Sequence, residues 1–358
     1  MTRARDLANF ADGTIGDVSG NLTGNVNGLT PQASNMQPFN RIINGAMTVD
    51  QRNAGASVTP TANVYVLDRW NQVALVTSKY SVQQNAGSVT PPVGFTNYLG
   101  MTSLSAYTVG AAETFALNQR IEGYNISDLG WGTANAKTVT LSFWVRSSLT
   151  GTFGGALKNS TNDRSYPFAY TISAANTWEY ETITIAGDTT GTWLTTNGVG
   201  INLIFGIGVG STASGTAGAW AAANYNSATG ATSVVGTSGA TFYITGVQLE
   251  AGSTASPFAH ENVGDTLQKC QRYFQTLSAI ANAGYASGNN ESIMSSLPFK
   301  TSMRSAPTVT ITSLGNQSRL QAFTANGATV DGVWLWSTAS SSGFAGVYNA
   351  TATAVAEL

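Results

Sequence analysis

The chain has 358 residues and a formal net charge of −2, from 16 Lys and Arg against 18 Asp and Glu, so that 9% of its side chains are charged. Globular domains usually carry about 25%, and so few cations make no basic stripe for a phosphate backbone, which excludes nucleic acid as a partner. One His and one Cys leave little material for metal or nucleophile chemistry, and no metal or cofactor is expected.

At 42% apolar the chain is in the globular range, and 39 Gly with 47 Thr suit strands and turns. The apolar run at the start breaks within two residues, so no secretory signal is expected. The most apolar stretch, Val199 to Gly210, is too short and too glycine-rich to span a bilayer as a helix. No membrane insertion is expected.

Residues 1–38 read as a separate segment. Arg3 to Phe10 can form a short helix with Leu7 and Phe10 three apart. Gly16, Gly20, Gly24 and Gly28 then recur every four residues, with Val18, Leu22 and Val26 midway between them. Four is twice the strand period, so in an extended chain these glycines and aliphatics share one face. A lone strand cannot bury three aliphatics against glycine, and the segment is expected to pair with copies of itself or to dock. A flexible linker is the alternative.

Residues 39–262 read as a β-sandwich or jelly roll, with short alternating strands between Gly, Asn and Thr turns. Lys137 to Ser147 places Val139, Leu141, Phe143 and Val145 on one face, and Thr140, Ser142, Trp144 and Arg146 on the other. Trp178 to Ile185 alternates likewise, with Glu179 and Glu181 together on a face read as solvated. Thr241 to Leu249 puts Phe242 and Ile244 on one side, and Tyr243, Val247 and Leu249 on the other. Asp265 to Tyr273 carries the helical signal of the body, capped by Asp265 or Thr266 and turning Leu267, Cys270 and Tyr273 to one face. Residues 263–358 read as a small C-terminal β domain, from strand candidates at Arg304–Thr312, Gly332–Trp336 and Phe344–Val355.

For chemistry, a Ser-His-Asp hydrolase needs a histidine, and His260 sits where a linker is expected. Asp163 with Asp188, or Glu179 with Glu181, are the carboxylate pairs to weigh for glycan cleavage, and Asn159 to Asp163 is a polar loop with Ca²⁺-type oxygens. The aromatics carry more. Trp70 and Trp144 belong to strands and are expected to pack. Trp193, Trp220 and Tyr225 lie in Gly/Thr/Asn-rich loops, where a flat ring among amides and hydroxyls suits a sugar. These three are the candidate glycan-binding residues.

Phe39 to Gln51 (FNRIINGAMTVDQ), Tyr65 to Asn71 (YVLDRWN) and Gly246 to Gln275 (GVQLEAGSTASPFAHENVGDTLQKCQRYFQ) resemble bacteriophage tail-fibre and prophage proteins. Arg3 to Gly13 with the glycine-spaced repeat is similar to fibre proteins of phages, including those of marine cyanobacteria. The resemblance implies a receptor-binding type of virion protein with a carbohydrate-binding-like jelly roll; from the catalytic candidates weighed above, no enzymatic activity is expected. It implies a homotrimer, assembled in the host cytoplasm and joined to tail or head proteins through residues 1–38, with Leu7, Phe10, Val18, Leu22 and Val26 in the attachment and trimer contacts. Its partner is then a host cell-surface glycan. A head fibre, decoration or collar protein without a ligand is the alternative, and a glycan-cleaving tailspike a third.

Overall fold

A computed structural model describes residues 40–61 and 63–358; Leu7, Phe10, Val18, Leu22 and Val26 lie outside them. The described chain is all β apart from one α-helix and short 3₁₀ turns, and its first part is a jelly-roll sandwich. In chain order the strands are Val64–Leu67 (β1), Trp70–Ala74 (β2), Tyr80–Gln84 (β3), Leu99–Ser103 (β4), Thr114–Glu122 (β5), Val139–Ser147 (β6) and Gly151–Lys158 (β7). Then come Ser165–Ile172 (β8), Glu179–Ile185 (β9), Val199–Val209 (β10), the two-residue Ser214–Gly215 (β11) and Ser227–Ala228 (β12), and Thr241–Ala251 (β13). One sheet has the order β1-β2-β5-β10-β7-β8 and the other β3-β4-β13-β6-β9.

The two inner faces form one aromatic-rich core. Val139, Leu141, Phe143 and Val145 of β6 are fully buried, as the alternation predicts. Phe143 meets Phe205 of β10 and Tyr170 of β8 across the sandwich, with ring centroids 5.0 Å apart in each case.

On β13 the expected facing is corrected. Phe242, Ile244, Val247 and Leu249 all enter the core, because the pairing with β6 slips between Thr245 and Gln248. Gly246 sits in that bulge at φ +61°. A bulge adds one residue and reverses the parity of everything after it, so Gln248 and Glu250 join Tyr243 and Thr245 on the outer face.

The segments that carry the family resemblance are the joinery of this frame. Asn40 donates to the Val247 carbonyl (3.1 Å) and accepts from the Leu249 amide (3.1 Å), tying the bulge down. Asn44 donates to the carbonyls of Val49 and Asp68 (2.9 and 3.0 Å), and its own carbonyl accepts the indole N–H of Trp70 (3.0 Å). Asp68 in turn accepts from the backbone and side-chain nitrogens of Gln51.

Helix α1 spans Val263–Gln271 and is capped by Asn262, whose side chain accepts from the Gly264 amide (3.0 Å), not by Asp265 or Thr266. Its buried face is Thr266, Cys270 and Gln271, one step from the expected stripe through Leu267. Cys270 is buried, which pushes its thiol pKa well above the ordinary value. The remaining strands are Phe274–Ala286 (β14), Ser292–Pro298 (β15), Thr308–Ser313 (β16), Asn316–Ser318 (β17), Leu320–Asn326 (β18), Gly332–Ala339 (β19) and Gly343–Val355 (β20). They make a sheet β14-β20-β16, with β17 also on β20, and a sheet β15-β19-β18. Their shared core is small and alanine-rich, with Ala350, Ala352, Ala354 and Ala356 against Leu277, Val333, Leu335 and Phe323.

The last residues return to the sandwich. Glu357 pairs with both Arg52 and Arg69, and Arg120 and Tyr65 donate to the Leu358 carbonyl. Arg304 donates to the carbonyls of Ala356 and Glu357 (both 2.9 Å).

Candidate functional site

The eight tryptophans divide by what their indole N–H groups do. Five are bonded to backbone carbonyls: Trp70 to Asn44, Trp131 to Lys137, Trp178 to Thr90, Trp193 to Thr190 and Trp220 to Ala186, at 2.7–3.1 Å. The indole N–H groups of Trp144, Trp334 and Trp336 have no hydrogen-bond partner among the described residues. A buried Trp is normally satisfied within the fold, so these three mark where the protein offers an aromatic plate and a donor outward.

The structure brings two of the sequence-predicted residues together and leaves the third apart. Trp193 and Trp220 join Trp131 in a three-way edge-to-face cluster, with ring centroids 4.7–5.3 Å apart and interplanar angles of 79–80°. Trp193 is 7% exposed and belongs to the main core. Trp220 is half-buried, with Tyr166 on another side (5.3 Å). Tyr225 lies instead over Gly215, where an added Cβ would fall 2.3 Å from the tyrosine ring. Its backbone N–H donates to Ser165 Oγ (3.2 Å).

Trp144 packs as expected, though against Tyr180 on the outer face of the sheet and not in the core. It lies half-buried on the outer face of β6, directly across from Tyr180 of β9, with ring centroids 5.3 Å apart. Tyr180 is 44% exposed. The two rings floor a groove of about 420 Å³ whose walls are Val93, Phe95 and the Ala255–His260 loop. Phe95, Phe258 and His260 form a ring cluster with centroids 4.9–5.2 Å apart. His260, expected to be a linker residue, therefore lines the groove. The signal available in the sequence was a Trp on the polar face of β6, between Ser142 and Arg146.

The wall is built by the bulge and by two polar residues that follow it. Glu250 accepts from the Ser256 amide (2.9 Å) and hydroxyl (2.6 Å), and the side-chain Oε1 of Gln248 accepts from the Ala259 backbone amide (2.8 Å). Gln248 also donates to Glu250 and to Ser256 Oγ, each at 3.0 Å. These bonds hold the loop on the sheet and set Phe258 and His260 against Phe95. Gly246 is required here on two grounds: its φ is positive, and an added Cβ would lie 2.6 Å from the Phe95 ring. The described residues lining the groove carry no carboxylate, lysine or arginine.

The carboxylates weighed for catalysis are engaged elsewhere. Asp188 takes a bidentate pair from Arg164 (2.7 and 2.8 Å) and Asp163 accepts from Asn159 and Thr161. Asn159 also donates to the Thr192 carbonyl (3.2 Å), so the loop considered for Ca²⁺ is internally bonded. Glu179 and Glu181 are half-buried opposite Val145 and Phe143, on the core side of the sheet margin and not on a solvated face. Burial and the neighbouring Glu179 raise the pKa of Glu181. Lys158 is buried, its ammonium held by Asn224 and Asn226 (both 2.7 Å), and burial with the nearby Arg120 charge lowers its pKa to about 8. No group of three or more metal-ligating side chains occurs among the described residues, and no helix among them is long and apolar enough to cross a membrane.

No family model matches the sequence, and no curated protein matches it. Among solved structures, the chain is similar to the enzymatically active domain of tailspike protein 4 of bacteriophage CBA120 (10% identity, TM-score 0.30, 60% of this chain covered). It spans about a fifth, 21%, of that tailspike chain. It is also similar to the family 11 carbohydrate-binding module from Clostridium thermocellum, solved with a β-1,3-1,4-mixed-linked tetrasaccharide (12%, TM-score 0.27, covering 56% of this chain and 98% of that one). A third is the CBM22-1 xylan-binding domain from Paenibacillus barcinonensis (10%, TM-score 0.25, 57% and 99%). These are distant likenesses of architecture.

Proposed function

We propose that this chain is a phage fibre protein that recognises a glycan on the host surface, and that sugar rings stack in the groove over Trp144 and Tyr180. The observation that carries the reading is the Trp144 indole, half-buried on the outer sheet face with its N–H unpartnered among the described residues. A pyranose has an apolar face of C–H groups and an edge of hydroxyls, which matches aromatic plates flanked by an indole N–H, a phenol and an imidazole. A volume of about 420 Å³ fits a small-ligand site. With no carboxylate, lysine or arginine among the described residues of its lining, the groove favours a neutral glycan.

The reading is one of binding, since two-carboxylate glycan cleavage needs a pair of acids flanking the bond and the described residues of the lining supply none. On the same reading residues 1–38 attach the chain to the tail or head, and the working form is a homotrimer.

The test is a glycan array probed with the wild-type chain, Trp144→Ala and Tyr180→Ala. Selective binding to neutral host glycans that drops at least tenfold in both variants is expected. Wild-type binding that both variants retain undiminished would overturn the assignment of the groove. Light scattering that returns a monomer mass would overturn the trimer.

A further inference from the structure

The other two unpartnered indoles lie together, far along the sequence from the groove. Trp334 and Trp336 are 51% and 39% exposed on the outer face of β19, two residues apart and so about 7 Å along the strand. Register sets Met294 and Thr324 on either side of Trp336, and Ser296 and Asn326 on either side of Trp334. The inward residues Val333 and Leu335 are buried, so the strand is well anchored while its tryptophans face out. Asn326 donates to Thr324 Oγ1 (3.1 Å), which leaves the amide oxygen as an acceptor and the hydroxyl proton as a donor beside the two rings. Below Trp334 a pocket of about 310 Å³ opens between Ser296–Pro298 and the turn at Gly327–Asp331. Gly327, at φ +61°, brings the turn backbone against the indole, where an added Cβ would be 3.4 Å from the ring.

We infer that this face is a second carbohydrate-binding site, for a neutral pyranose, independent of the groove over Trp144. Area and charge choose the occupant. The patch spans three strands and about four residues along each, roughly 14 by 14 Å or on the order of 200 Å². A stable protein–protein interface needs about 800 Å² per partner, so the patch is too small to hold a second copy by itself, whereas one or two sugar rings cover it. The six residues in the two central rows are uncharged, and the charged side chain lining the pocket below is the carboxylate Asp331. That group accepts hydroxyl protons and repels an acidic sugar. One chain with two glycan sites also gains avidity on a repetitive surface wherever both are engaged at once.

The experiment labels the full chain with 5-fluorotryptophan and follows the eight ¹⁹F resonances during titration with methyl glucoside, methyl galactoside, methyl mannoside and their neutral oligosaccharides. The Trp334 and Trp336 signals are assigned from Trp334→Phe and Trp336→Phe. Saturable shifts of these two signals are expected with at least one neutral ligand, unchanged in Trp144→Ala, and the Trp336 shift that remains in Trp334→Ala is expected to need at least tenfold more ligand. Sialyllactose as an acidic probe is expected to leave them unmoved. Two static signals throughout the neutral panel overturn the inference. So does a fall in molecular mass of Trp334→Ala by light scattering without any change in sugar binding, since the face would then be an interface between copies. Shifts of Trp334 and Trp336 with a static Trp144 signal would sink the groove instead and leave this site standing. Both indoles are exposed, so circular dichroism of the variants is expected to match wild type.

Discussion

Two aromatic groups in the same sandwich use the same residue types in opposite ways. Trp131, Trp193 and Trp220 turn edges to faces on one another and give every N–H to a backbone carbonyl. Trp144 and Tyr180 pair across strands on a sheet face and keep indole and ring open to the groove. Loop position and composition do not distinguish them, nor does burial alone, since Trp220 and Trp144 are both half-buried. What separates a packing tryptophan from a presenting one is whether its single donor is satisfied within the chain. The trio holds loops to the sandwich, and the pair is held up by the sandwich.

That contrast can be broken in several places. Trp193→Ala is expected to cost the most stability, about 3–5 kcal/mol as for other buried aromatic truncations, read by guanidinium unfolding, with sugar affinity per folded molecule unchanged. Loss of affinity without loss of stability would reverse the roles assigned to the two groups. Gly246→Ala is next. It forces a side chain into positive φ and onto Phe95, a strain of about 1–3 kcal/mol, and is expected to displace the Phe258 wall and weaken binding as well. Trp144→Ala is expected to lower affinity about tenfold, or about 1.4 kcal/mol, while shifting stability less than the other two.

The smallest effect is a pH dependence confined to the trio's side. Burial of Asp188 opposes its ionisation, but the bonds from Arg164 and Thr190 outweigh it and hold the carboxyl below its ordinary pKa. A depressed carboxylate pKa stabilises the fold above the unfolded value, about 3.9, and that contribution is lost as pH falls through the lower folded value. The stability difference between wild type and Asp188→Asn should therefore be constant above about pH 5 and shrink below about pH 4. A difference that shrinks between pH 5 and 8 would contradict the Arg164 pairing.

Much of the frame was legible because strands alternate. Val139, Leu141, Phe143 and Val145 needed no more than a period of two. β13 was misread past Thr245 because a bulge is invisible to periodicity; Gly246 was its trace, and Gly in a strand reads equally as a weak point or a turn. The helix cap was misplaced because Asn262, Asp265 and Thr266 are all competent caps, and the choice falls to where the β13 loop delivers the chain. The groove was hardest to see. Trp144 was placed on the correct face of β6, yet its exposure depends on Tyr180 from β9 and on a wall from residues 255–260, none of them near it in sequence. Tyr225 has no such contact with Trp193 or Trp220 because its ring rests on Gly215, a pairing that local sequence does not specify.

The contact of Glu357 with Arg52 and Arg69 bears on how the molecule melts. Arg69 is fully buried, with its guanidinium over the Tyr273 ring (3.6 Å), and Glu357 supplies its counter-charge. If the alanine-rich C-terminal sheets opened alone, Glu357 would leave and strand a buried cation in the sandwich, a state disfavoured by about 3–5 kcal/mol. The small core thereby borrows the cooperativity of the large one. Calorimetry of the described body should give a single endotherm, and Glu357→Gln should split it in two.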